Sequence, residues 1–430
     1  MSVPSASVKW MHSGMQGAPV LNNSWGALTA LLRACAVTGF NIRPVQSMTC
    51  TGTMATVQCN GHGFVESQVV KIEGAEQEGY NGEHRIVSVV DANTVRITLA
   101  AALEPASAAS GQTLQMRAAA LGFESLFDDG RQKLVLRSKD LLSPRNVLRV
   151  DDSCPAGYTT TWANFGRVTM AQDMSDLDTF FGARAPFDPL NPTKNEIPSG
   201  SGNDLYSGWY RWLYALSSDS SSATRLNLVP ASGPRKWILI GDGRGFYLIT
   251  GVVSGSERRL CYAFTDFASL KTADAFSTIL MAHDAYNTVS SSMSYIQGYA
   301  PLFREGKSDG MILMRGYSGE GGNINCSPIT LNIVPGAPAA VDSGYTDRVP
   351  YPSGADNRLL LHPVYLFQSN YDIRGLLPGV LYVLQRQTLP DLSILDSPVV
   401  PGKKVLLINI AVGTGLQSGS IAFDITGPWR

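Results

Sequence analysis

Charge is scarce in this chain. Aspartate, glutamate, lysine and arginine make up 16% of its residues and the formal net charge is −1, whereas an ordinary soluble domain carries about a quarter charged residues. No basic run exceeds a pair, as in Arg258-Arg259 and Lys403-Lys404, so the footprint of a nucleic-acid binder is missing. Long apolar runs are missing too: the longest, such as "VLLINIAV" (405–412), fall far short of the roughly 20 residues that span a bilayer. The opening "MSVPSASVKWMHSG" has no basic start followed by an apolar stretch, which predicts no export signal and no membrane insertion.

Cysteine spacing is equally uninformative of chemistry. The six cysteines (Cys35, Cys50, Cys59, Cys154, Cys261, Cys326) include no CxxC, so free, mostly buried thiols are expected, with Cys50 and Cys59 the one pair near enough in sequence to bridge locally. The five histidines (His12, His62, His84, His283, His362) show no ligand spacing, and "DMSDLD" (Asp173, Asp176, Asp178) lacks the glycine and spaced glutamate of a calcium loop. No metal or other cofactor is expected.

What the chain does have is turn material: 42 glycines, 24 prolines and a serine-rich stretch at 217–223, beside 44% hydrophobic residues. That mixture favours many short strands, and a length of 430 residues predicts two or three structural units. "NNSWGALTALLRACAVTGF" (22–40) places Trp25, Leu28, Leu31, Leu32 and Cys35 at helical spacing. It predicts a helix over 22–36, capped by Asn22, Asn23 or Ser24 and stopped at Gly39. The period then drops to two in 53–59, 67–75, 83–90 and 94–100, separated by glycines and by "DAN" at 91–93. These predict a small β-barrel or sandwich module over 43–117, in which Tyr80 covers an open end and Asn81-Gly82 takes positive φ. After the linker-like "ALEPASAASGQT" (102–113), strands are read at 132–138, 146–152, 158–163, 167–172 and onward to 420–425, with a long loop from Phe181 to Asn203. The fold class expected is mainly β: an N-terminal segment with a short helix (1–42), the inserted β-module (43–117) and a larger β-sandwich or barrel scaffold (118–430), with a further division near 205–235. No fixed-period repeat supports a propeller or solenoid.

Motifs that resemble catalytic signatures fail on context. "GDGRG" (241–245) is followed by the strand-like "FYLIT", where a phosphate site requires a helix, and reads as a hairpin turn. "PLFREGKS" (301–308) has proline in place of the first glycine of a nucleotide loop, and "GYSGEG" (316–321) has Glu320 where a nucleophile elbow requires glycine. Polysaccharide hydrolysis would need two carboxylates facing across a cleft, for which Asp151, Asp152, Asp173 and Asp176 are the candidates, although neighbouring carboxylates on loops usually cap turns. The densest aromatic stretch, "LYSGWYRWLYAL" (205–216), offers Tyr206, Trp209, Tyr210, Trp212 and Tyr214. With Trp429 these are the candidate interface or glycan contacts, weighed against burial in the core.

Several segments together resemble a known family. "KWMHSGMQGAPVLNNSWGALTALLRACAVTGFN" (9–41), "GHGFVESQVVKIEGAEQEGYNGEHRIVSVVDANTVRITL" (61–99), "LRVDDS" (148–153), "WILIGDGRGFYL" (237–248) and "FDITGPWR" (423–430) resemble tail-tip or baseplate virion structural proteins of long-tailed bacteriophages and prophages of Gram-negative bacteria. The resemblance implies a non-enzymatic structural component located in the virion tail and, during assembly, in the host cytoplasm. Its implied partners are other tail or baseplate proteins and copies of itself, with no nucleic acid. A carbohydrate-binding receptor module and a polysaccharide hydrolase are the alternative readings.

Overall fold

In the computed structural model the described residues are 7–103, 113–198, 207–218, 228–256, 259–284, 310–328, 358–368, 372–384, 389–397, 400–412 and 417–430. The protein is mainly β, with 47% of the described residues in strands and 5% in helices, as the turn-rich, weakly charged composition predicts. Among the described residues, strands gather into a 13-stranded sheet and two sheets of seven strands.

The large sheet contributes two limbs. Its first limb runs through Lys9–His12, Trp237–Asp242, Gly245–Gly251, Arg259–Asp266 and Thr278–Met281, and its second through Leu361–Gln368, Ile373–Val383, Gln417–Asp424, Lys404–Val412 and Ile394–Asp396. A second sheet, built from Phe123–Asp128, Lys133–Ser138, Val147–Asp151, Phe165–Met174 and Tyr210–Leu213, packs on one face of the first limb. Aromatic pairs make this contact: Phe123 meets Phe246 edge-on at 5.7 Å, and Trp212 stacks on Tyr262 at 6.0 Å. On the opposite face of the first limb, Tyr247 meets Phe423 of the second limb at 5.1 Å and donates to the Pro378 carbonyl at 2.9 Å. The first limb is therefore the middle of three layers. Every residue of its strands Trp237–Asp242, Gly245–Gly251 and Arg259–Asp266 is buried, which explains why they read as continuous apolar runs and do not alternate.

The third sheet orders its strands Phe40–Pro44, Gln115–Ala118, Val69–Glu73, Gly82–Asp91, Thr94–Thr98, Met54–Gln58 and Ser47–Thr51. Strand Gly82–Asp91 pairs with Val69–Glu73 through its first half and, past a bulge, with Thr94–Thr98 through its second. That bend lets residues 45–46 join the two outer strands, giving a barrel-like unit around Met48, Val57, Ile72, Ile86 and Ile97. Tyr80 is wholly buried beneath it on a single 3₁₀ turn. Gly82 takes φ 117, but Asn81 stays extended at φ −71. Asn81 works through its side chain, which accepts from Ala75 N–H at 3.0 Å and donates to Ala75 O at 2.9 Å.

The N-terminal residues tie this unit to the large sheet. Lys9–His12 pairs with Ile238–Gly241, while Trp10 Nε1 donates to Ser67 O at 3.2 Å and Arg85 reaches Val8 O at 2.9 Å.

Three local expectations need correction. The helix is an α-helix only over Ala27–Leu32, continuing as a π-helical turn through Arg33–Thr38 to Gly39 at φ 78. Asn22, Asn23 and Ser24 do not cap it through their side chains; Asp152, just past the strand Val147–Asp151, accepts Leu28 N–H at 2.9 Å. The threonine-rich 158–163 is a turn instead of a strand, with Trp162 N–H on Thr159 O at 3.1 Å. Part of the loop read from Phe181 is strand: Phe180–Ala185 pairs with Phe165–Met174.

Candidate functional site

The aromatic run lies inside the protein. Strand Tyr210–Leu213 is hydrogen-bonded on one side to Phe165–Arg167 and on the other to His283–Asp284, so its side chains point into sheet interfaces. Tyr210, Trp212 and Tyr214 are fully buried, and each polar tip has an internal partner, as buried tyrosine and tryptophan require. Trp212 Nε1 donates to Met281 O at 2.8 Å, Tyr214 Oη to Asp152 Oδ1 at 2.7 Å and Tyr210 Oη to Asn325 Oδ1 at 3.4 Å. These three rings offer no face to a glycan or partner, which corrects their candidacy. Trp209 is half-buried, with Lys194 Nζ 4.1 Å above its ring. Tyr206 lies outside the described residues. Trp429 is half-buried against the same chain: its Nε1 donates to Asp424 O at 2.8 Å, and its ring lies so close to Gly379 that a Cβ there would collide with it. Beside it, Arg430 pairs with Asp242 at 2.6 Å in the tight turn of the "GDGRG" hairpin, where Asp242 and Gly245 face each other across two residues.

The four candidate carboxylates do not converge. Asp151 points to one side of its strand, against Arg149 at 3.0 Å and Arg167 at 2.9 Å. Burial would raise its carboxyl, but the two guanidinium groups outweigh that and hold it below the usual range. Asp152 points to the opposite side and is completely buried, and desolvation pushes its carboxyl up to about 8 despite the hydrogen bonds from Tyr214 and the helix. Tyr214 Oη stands between two acceptors, Asp152 Oδ1 at 2.7 Å and Ser24 O at 3.4 Å. Asp173 and Asp176 are exposed, and Asp176 caps the turn through Asp178 N–H at 2.8 Å and Thr179 N–H at 2.9 Å. Asp178 is spent on Lys133 and Arg149, at 2.8 and 2.5 Å.

Apolar side chains reach water elsewhere. Leu141 and Leu142 are 79% and 80% exposed at the tip of the hairpin loop between Lys133–Ser138 and Val147–Asp151. The loop beneath them is tightly held. Ser138 Oγ donates to Gly243 O at 2.5 Å, Arg244 pairs with Asp140 at 2.6 Å, and Ser143 Oγ donates to Asp266 at 2.6 Å. A second display surface is the segment that covers the far face of the second sheet, where Phe181, Leu190 and Ile197 are 55%, 95% and 57% exposed. There the Arg184 guanidinium sits between the rings of Phe180 and Phe187, 4.8 and 4.7 Å from their centres. Sequence reasoning passed over the leucines, although "KDLLSPRN" (139–146) carried a signal: paired apolar residues inside a Ser/Pro/Asp turn, outside any strand period.

Comparison with known proteins adds little. No family model and no curated protein matches the chain. Among solved structures it is weakly similar to a phage phi92 endosialidase, with 10% identity and a TM-score of 0.16 over 90% of this chain and 52% of that one. The chain thus spans about half the length of that enzyme, and a superposition so loose carries no inference about fold or activity. Among the described residues no helix is long and apolar enough to cross a membrane.

Proposed function

We propose that this chain is a non-enzymatic structural subunit of a bacteriophage virion, in the tail tip or baseplate, acting through interfaces with other tail proteins and with copies of itself. The observation that carries this reading is the pairing of rigid loops with displayed leucines at Leu141 and Leu142, since a preorganised apolar tip binds a partner without losing loop entropy on docking. The family resemblance of the N-terminal, barrel and C-terminal segments supplies the particle. The candidate carboxylates and most candidate aromatics serve internal structure, which leaves the hydrolase and glycan-platform readings without a motivating geometry.

The test is made in the phage or prophage that encodes the chain. Purified virions should contain it in stoichiometric amount by mass spectrometry, and the double variant Leu141→Asp/Leu142→Asp should fold normally yet be depleted from particles. Virions that lack the chain altogether, or incorporate the double variant at the parental level, would reject the reading.

A further inference from the structure

Two connections leave the same end of the second sheet. In register, Arg137 lies opposite Val147, and Val147 opposite Ala171. The loop after Lys133–Ser138, which carries Leu141 and Leu142, therefore emerges beside the turn after Phe165–Met174. On that turn's returning strand Phe181 faces Asp173, which sets an exposed ring next to an exposed carboxylate. Neighbouring strands lie about 5 Å apart, so the bases of the two projections are separated by roughly 10 Å.

Both projections are apolar, but their unspent charges differ in sign. On the first, Glu124 is shared by Arg137 and Arg145 at 2.6 and 2.9 Å, and Asp140 is held by Arg244 at 2.6 Å. Lys139 is the cation left over: it is exposed, and among the described residues no carboxylate pairs with it. On the second, Asp173 meets Arg137 at 3.9 Å, the outer limit of an ion pair, and keeps 58% of its side-chain surface in water. Asp176 accepts the N–H groups of Asp178 and Thr179, which hold its carboxyl below the usual range, so it is ionised.

A basic and an acidic apolar projection side by side make a self-complementary surface. A two-fold axis between two copies lays the positive projection of each on the negative projection of the other, so the contact closes without a further surface. Each projection is also fixed before docking. Ser143 and Asp140 anchor the first, and the second is anchored by Arg149 Nε on Leu177 O at 2.6 Å and by Lys133 on Asp178 at 2.8 Å, so little loop entropy is lost on association.

We propose that this end of the second sheet is a two-fold contact between copies of the chain, with Lys139, Leu141 and Leu142 of one protomer against Asp173 and Phe181 of its partner, and the reverse. The proposal rests on the reading of the leucine loop as an assembly contact and names what meets it.

Sedimentation velocity of the full chain should show a monomer–dimer equilibrium that weakens with added salt, because exposed charge pairs are screened. Lys139→Glu and Asp173→Lys should each weaken dimerisation at least about tenfold, since the symmetry repeats every like-charge clash. An equimolar mixture of the two single variants should dimerise like the parent, because both contacts then join unlike charges. Phe181→Ser, at an exposed ring, should weaken dimerisation with an unchanged melting temperature. Monomers at the highest soluble concentration, single variants that associate like the parent, or a mixture no better than its components overturn the proposal. Assemblies that grow past the dimer overturn the two-fold arrangement. Monomers whose Leu141→Asp/Leu142→Asp variant is still depleted from virions would reject this contact and leave the virion reading standing, whereas dimers that never enter virions would do the opposite.

Discussion

Residues 209–214 run along a strand of the second sheet and residues 139–145 form a hairpin loop of that same sheet, and the large apolar side chains of the two segments have opposite fates. The first forms a strand paired on both sides and pressed against the large sheet, so its rings are core. The second is the loop of a hairpin held through Asp140, Ser143 and Arg145, and its leucines stand in water. Tryptophan and tyrosine enrichment is a mark of interfaces, but in a layered β fold the pairing partner of a segment decides whether such residues are available. Displayed leucines on a held loop are the better pointer to contact.

The largest effect is expected at Trp212. Its ring is fully buried, stacks on Tyr262 and bonds Met281 O. Trp212→Ala should cost about 3–5 kcal/mol in denaturant unfolding. A loss under about 1 kcal/mol would mean that the ring is not part of the packed interface between the sheets, and the contrast between the two segments would fail.

Asp152 comes next, because it joins the aromatic segment to the helix. Its folded pKa, pushed to about 8 from an ordinary 3.8, means the folded state holds a proton that the unfolded chain releases. The stabilising contribution is full below about 4 and is lost as pH rises toward about 8. Asp152→Asn keeps an oxygen for Leu28 N–H and offers a donor to Tyr214 while removing the titration. The fall in stability between about pH 5 and 9 should therefore be shallower in the variant, as urea midpoints measured across that range will show. The carboxyls held low, such as Asp151 and Asp391, act in the opposite sense and below that window. Parallel profiles for the two proteins would show that Asp152 is ionised in the fold.

These two sites also mark what the sequence makes legible and what it hides. The hairpin at Asp242–Gly245 is readable because its signal is local: a two-residue turn between apolar runs, with Asp242 accepting Arg244 N–H at 2.8 Å. The module strands 53–100 and the apolar helix face of Leu28, Leu31, Leu32 and Cys35 are readable for the same reason, since period and turn chemistry lie within a few residues. The helix start is not, because its cap comes from Asp152, 124 positions away. Threonines 159–161 carry β propensity into a turn, because propensity measures fit to a pleated surface and no neighbouring strand is there to supply one. The destination of Tyr210, Trp212 and Tyr214 depends on which sheet lies opposite, and single-sequence periodicity contains no record of that.

Trp429 tests the contrast at an intermediate position. It is half-buried and held by Asp424 O and the Gly379 backbone, so Trp429→Ala should cost about 2 kcal/mol, between a core truncation and a surface change. Gly379→Ala should act in the same direction, since its φ of 69 disfavours a side chain and the new methyl would strike the indole. If both variants unfold with the parental midpoint, the terminal segment is not docked on the body in solution.

The smallest effect on stability is expected where the effect on assembly should be greatest. Leu141 and Leu142 make little contact with the body, so Leu141→Asp/Leu142→Asp should shift unfolding by no more than about 0.5 kcal/mol. The loop's conformation comes from Asp140, Ser143 and Arg145, whose bonds run to Leu142 N–H at 2.9 Å, to Asp266 at 2.6 Å and to Glu124 at 2.9 Å; none of these uses a leucine side chain. Two new carboxylates at the tip would have to be desolvated in any apolar interface, which costs far more than it does in water. Unfolding midpoints and self-association by analytical ultracentrifugation therefore separate the two roles. An unchanged midpoint with weakened association places the leucines at a contact between copies, whereas a large drop in stability would return them to the core, alongside Trp212, and erase the difference between the two segments.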